Sequence, residues 1–152
     1  MIYQLSPWFV RIAEFLFKQN STMKHEESSL QISCVKWFRL QWRKYAELLN
    51  SVPNGGARNA ITGAIIKAEG SVRGVADLEL NMARGGWFGL KIEMKTPKGR
   101  QSPQQRNWQS LIEEQGYKYI ICRSLDEFRQ GITEYLTMPQ TKSYPQQPQK
   151  SV

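Results

Sequence analysis

Apolar and polar residues alternate most clearly between Gly74 and Lys95. Side chains on a strand switch faces at each residue, so Ala76, Leu78 and Leu80 share one face while Val75, Asp77 and Glu79 share the other. After Asn81–Gly86, the segment Trp87–Lys95 alternates again: Phe88, Leu90, Ile92 and Met94 are apolar, and Lys91, Glu93 and Lys95 lie opposite. Two such segments around Gly85-Gly86 predict a β-hairpin. If both apolar faces meet one core, Asp77, Glu93 and Lys95 converge on the other side of the sheet.

Helical spacing dominates on either side. Pro7–Lys18 is an amphipathic helix candidate, compatible with docking on a partner or a membrane interface, or with an upstream extension if translation starts at Met23. From Glu26 to about Tyr45, Leu30, Cys34, Trp37 and Gln41 recur at steps of three and four, and Glu27 and Gln31 share a face. Ala46–Val52 reads as either more helix or a short strand, ended by Pro53-Asn54-Gly55-Gly56. Arg58–Glu69 predicts a second helix with Ala60, Ile61, Ala64, Ile65 and Ala68 inward and Gly70 as its stop. Ser102-Pro103-Gln104-Gln105 has the form of a helix start, with Ser102 as N-cap, Pro103 in the first turn and Gln105 as reciprocal cap. Tyr117–Cys122 predicts a buried strand, and Ser124 caps a last helix with Leu125, Phe128, Ile132 and Tyr135 inward. The Pro- and Gln-rich stretch from Met138 predicts a disordered tail. The whole is a mixed α/β domain with a small sheet. Its expected divisions are an N-terminal extension (1–24), a folded domain (25–137) and the tail (138–152).

Composition narrows the partners. At 152 residues the chain is one domain's worth, and its formal charge of +8 favours a polyanion through phosphate contacts. No apolar run approaches the ~20 residues a membrane span needs. Cys34 and Cys122 fall in apolar patterns, as expected of reduced core thiols in a cytoplasmic protein, and His25 is the only histidine, so a zinc site is not indicated.

Two adjacent carboxylates repel, and a divalent cation removes the conflict; hard oxygen donors suit Mg²⁺ or Mn²⁺. A cation held by Asp77 and Glu93, with Lys95 beside it, is a site suited to cutting phosphodiesters. A lone Glu-x-Lys is ordinary solvated strand surface, and it is the ordered set that points further. Gly74-Val75-Ala76-Asp77, Ile92-Glu93-Met94-Lys95-Thr96 and Gly99-Arg100-Gln101-Ser102-Pro103-Gln104-Gln105 resemble the VRR-NUC domain, a nuclease branch of the PD-(D/E)xK superfamily. The resemblance runs back to Glu27-Ser28-Ser29-Leu30-Gln31 and forward through Trp108, Gly116-Tyr117 and the last helix. It departs where Gly74 follows Val72-Arg73 in place of a second Arg, and where Ala76 stands before the acid in place of Pro.

The resemblance implies a restriction-endonuclease-like α/β core and Mg²⁺- or Mn²⁺-dependent cleavage of DNA. Asp77, Glu93 and the Met94 backbone carbonyl would bind the cation, with Glu27 completing the site directly or through water and Glu26 as its rival. Lys95 would be the catalytic lysine, and Gln105 would sit beside the site as well as capping its helix. Arg84, Lys91, Lys98, Arg100 and Arg106 are the expected DNA contacts, whereas Trp87 is expected to pack more than to touch substrate. Stand-alone domains of this kind are similar to Holliday junction resolvases, implying a homodimer acting on branched or flapped DNA; the family name suggests phage, and host or viral origin stays open. Two alternatives stay open: a non-catalytic DNA-binding module of the same fold, and a hydrolase of another phosphate ester.

Overall fold

The computed structural model describes residues 7–52 and 60–141, with side chains at 22, 25–52 and 62–141. Its elements are α1 (Pro7–Gln41), a 3₁₀ segment (Arg43–Leu48), β1 (Leu49–Ser51), α2 (Ala60–Ala68), β2 (Leu78–Leu80), β3 (Leu90–Met94), α3 (Pro103–Glu114), β4 (Lys118–Cys122) and α4 (Leu125–Thr137). The two helical patterns expected before residue 45 are one continuous helix, which passes position 24 unbroken. Side chains of the amphipathic segment Pro7–Lys18 lie outside the described residues, as do Arg58 and the chain after Thr141.

The four strands lie in the order β1-β2-β3-β4, antiparallel except for the parallel pair β3/β4. This is the mixed sheet of a restriction-endonuclease-like α/β fold. The open question over Ala46–Val52 resolves into the 3₁₀ segment followed by an edge strand, with Leu49 opposite Leu80.

One sheet face is a hydrocarbon core. Leu78, Leu80, Leu90, Ile92 and Met94 pack with Cys34 and Phe38 of α1 and with Phe128, Ile132 and Tyr135 of α4. The buried stripe of α1 ends at Phe38, and Gln41, expected to continue it, is exposed. Burial pushes the free thiols of Cys34 and Cys122 up to about 12, so they stay protonated core groups. The opposite face of β3 and β4 is covered by α3, whose Trp108 lies 6.1 Å from the Tyr119 ring. Because helices cover both faces, all five residues of β3 are buried, charged ones included.

Three further expectations are corrected. The hairpin strands are shorter than the alternation suggests: Gly85 and Gly86 do make a tight turn, both with positive φ, but it closes only the Arg84/Trp87 bridge. Beyond it Phe88 leaves the β2 side and donates its N–H to Gly116 O at 2.9 Å, so its ring stacks edge-on against Tyr117 and stays 43% exposed. Residues 138–141 do not begin a disordered tail. Pro139 O accepts from Gly85 N at 2.9 Å, Thr141 Oγ1 from Gly86 N at 3.0 Å, and Met138 packs on the core, so the glycine turn gives this stretch backbone partners. On α2, Ile65 was expected inward and is 52% exposed, with Ala64 and Ala68 also exposed.

Candidate active site

The site is assembled where β2 stops and β3 continues. Register pairs Leu78 with Ile92, and one step further the same antiparallel alignment brings Asp77 opposite Glu93. The β2 ladder has ended there, and the Asp77 side chain takes over: its Oδ2 accepts the Met94 N–H at 2.8 Å. In a strand the N–H and C=O of one residue point to the same side, so the Met94 carbonyl also projects toward Asp77.

Glu93 has no exposed surface, and each of its oxygens is engaged. Oε1 is 2.8 Å from Lys95 Nζ and also accepts from Gln105 Nε2. Oε2 accepts from the Tyr119 hydroxyl at 3.1 Å. The Gln105 amide does two jobs: its carbonyl oxygen accepts from Ser102 N at 2.8 Å, closing the capping box of α3, while its NH₂ group reaches Glu93. Both readings of Gln105 therefore hold in one side chain.

Glu27 comes from α1, seven residues before Cys34 and so on the face turned to the sheet. Its Oε1 accepts from Thr96 N at 3.3 Å and lies 3.9 Å from Lys95 Nζ. Glu26 is exposed, whereas Glu27 is half-buried.

Burial raises the Asp77 carboxyl above its usual range; the Met94 N–H and Lys95 oppose the shift, and the Glu27 charge adds to it. Burial likewise raises Glu93, aided by the Asp77 charge and opposed by Lys95 and Tyr119. The Tyr119 phenol is pushed well above its ordinary range, by burial first and then by Glu93, and remains a donor. The acids are thus crowded, mutually unfavourable and only partly balanced by one ammonium.

Among the described residues no three His, Cys, Asp or Glu side chains are close enough to hold an ion alone. The donor set still fits a hard cation that keeps several waters: two desolvated carboxylates and a backbone carbonyl on one side, with a third carboxylate behind Lys95.

The expected DNA contacts divide. Lys98 and Arg100 are exposed on the loop between β3 and α3, next to Thr96, and Arg106 is exposed at the start of α3 with its Nη1 on Gln101 O at 2.7 Å. Lys91 is not available: it is buried, 2.9 Å from Glu79 Oε1 and 4.7 Å from the centre of the Tyr117 ring. Arg84 belongs to the glycine turn, past the Leu80/Leu90 end of the hairpin and so at the end away from Asp77. Trp87 packs on the core and His25 is exposed.

Sequence reading missed Tyr119 and Gln101. Tyr119 does have the right parity, opposite in face to Cys122, but which strand it neighbours follows only from the parallel β3/β4 pairing. Gln101 Nε2 lies 2.9 Å from Gln109 Oε1 and 3.5 Å from the Tyr119 oxygen.

A sequence model of the VRR-NUC domain matches residues 16–126. A solved structure described as a VRR_NUC domain protein superposes with a TM-score of 0.66 at 23% identity, covering 75% of this chain and 90% of that one, a likeness of fold. Comparison with curated proteins finds no match. With the motif residues in these places and the match spanning most of the chain, the protein belongs to the VRR-NUC domain family, a nuclease-type family.

Proposed function

We propose that this protein is a Mg²⁺- or Mn²⁺-dependent DNA endonuclease. The observation that carries this reading is a fully buried carboxylate, Glu93, held 2.8 Å from a buried lysine, Lys95, with Asp77 beside it. Such an arrangement is costly for stability alone and is common where charge is used chemically.

Asp77, Glu93 and the Met94 carbonyl would hold the cation, with Glu27 acting through water. When bound, the cation would supply neutralisation of the acids, a lowered pKa for a bound water so that hydroxide is available as the nucleophile, and polarisation of a phosphate oxygen. Lys95 orients the attacking water and meets the negative charge that builds on the phosphate. Gln105 keeps Glu93 in place through its NH₂ group. Lys98, Arg100 and Arg106 hold the DNA backbone at the mouth of the site. The substrate is branched DNA, a four-way junction or a flap, and two copies of the chain act together, each supplying one site; the exposed Ile65 and Val72 around α2 offer apolar surface for pairing.

A second reading, a binding module without catalysis, draws support from Glu93 Oε1, which Lys95 and Gln105 already occupy. A cleavage panel of junction, flap, nicked and linear DNA with Mg²⁺ or Mn²⁺ separates the two. The endonuclease reading requires metal-dependent cutting that falls by roughly 100-fold or more in Lys95→Met while DNA binding survives. DNA retention with no cutting of any substrate by the wild type favours the binding module.

A further inference from the structure

We propose that Tyr119 is a positioning residue for Glu93, its hydroxyl holding Oε2 so that the one acceptor position left on the carboxylate faces the cation. The assignment rests on the metal-dependent reading above. An ionised carboxylate has about four acceptor positions, two on each oxygen. Lys95 Nζ and Gln105 Nε2 fill both positions on Oε1, and the Tyr119 hydroxyl fills one on Oε2. The remaining position is on Oε2, and Tyr119 fixes its direction.

The hydroxyl is itself aimed from behind. Gln101 Nε2 faces the Tyr119 oxygen at 3.5 Å, which commits the hydroxyl hydrogen to Glu93. Trp108 flanks the ring at 6.1 Å, and Gln109 anchors the Gln101 amide at 2.9 Å. Gln101 also ends the loop that carries Lys98 and Arg100, and this loop is braced by Arg106 on Gln101 O at 2.7 Å and by Arg123 on Gly99 O at 3.3 Å. Two successive hydrogen bonds, Gln101 to Tyr119 and Tyr119 to Glu93, thus join the proposed DNA-holding loop to the acid. Partners that orient a metal ligand typically change cation affinity about 10- to 100-fold when removed.

The test is calorimetric titration of Mn²⁺ into the full chain without DNA, for wild type, Tyr119→Phe and Gln101→Leu, paired with cleavage as a function of Mn²⁺. Tyr119→Phe keeps the ring and its Trp108 contact while removing only the hydroxyl. We expect its Mn²⁺ dissociation constant to rise roughly tenfold. The Mn²⁺ concentration for half-maximal cleavage should rise by the same factor, with KM for DNA unchanged and kcat recovering at saturating Mn²⁺. Gln101→Leu should shift Mn²⁺ affinity in the same direction by less, and it decides the matter if Tyr119→Phe fails to fold. Wild-type Mn²⁺ affinity in the folded variants overturns the assignment alone. A wild-type chain that takes up no Mn²⁺ overturns the metal-dependent reading and this assignment with it.

Discussion

Gln105 holds Glu93 with one end of its amide and closes its own helix with the other. A helix cap and a buried acid are thereby fixed by one side chain, and α3 cannot shift without moving Glu93. The two roles separate by substitution. Gln105→Glu keeps an oxygen for the Ser102 N–H but replaces the donor to Glu93 with a second carboxylate, so cleavage should fall at least tenfold. Gln105→Ala removes both contacts and should also cost about 1 kcal/mol of stability, read by urea denaturation.

Gly74 couples the same helix to the acid-bearing strand. Its φ is +88°, and an added Cβ would lie 2.6 Å from the backbone of Gln104. Gly74→Ala should destabilise by about 2 kcal/mol or more and lower cleavage with it, because the contact pushes α3 away from the approach to Asp77. Equal midpoints in denaturant for variant and wild type would refute this.

Stability should depend on pH through Asp77. Its carboxyl is raised in the folded chain, so the folded state keeps a proton that the unfolded state releases, and stability falls as pH rises from the ordinary carboxylate range through the raised value. Above that value the burial cost is complete. Asp77→Asn retains an acceptor for the Met94 N–H and carries no charge, so without divalent cations it should melt higher than wild type near neutrality, with the gap closing in acid. Added Mg²⁺ should raise the melting temperature of wild type and leave Asp77→Asn nearly unmoved. A gap that stays constant with pH would remove the burial argument.

The basic residues should sort by exposure. Lys98→Ala and Arg100→Ala should each weaken DNA binding and reduce the salt dependence of log K by about one phosphate contact, without altering stability. Lys91→Met should do the reverse: it leaves Glu79 without its partner and lowers stability, while the salt slope stays at the wild-type value. Fluorescence anisotropy across a salt series distinguishes the classes.

Local pattern and motif order were enough to place much of this protein. Alternation assigned Asp77, Glu93 and Lys95 to one face because strand parity is local, and the Ser102–Gln105 cap was readable because its four residues carry the whole motif. Glu27 followed from its place on a helical face, together with the family resemblance. Availability was not readable, because burial and pairing depend on what lies across the sheet. Lys91 has the same parity as Lys95, yet register sets it against Glu79 and turns it into a structural ion pair. Tyr119 looked like core until parallel pairing placed β4 beside β3 and brought its hydroxyl to Glu93, 26 residues away in the chain. Residue types and their spacing settled which groups are present and which face they share; only the folded arrangement decided which remain free to act, since desolvation and hydrogen-bond partners are supplied by distant segments.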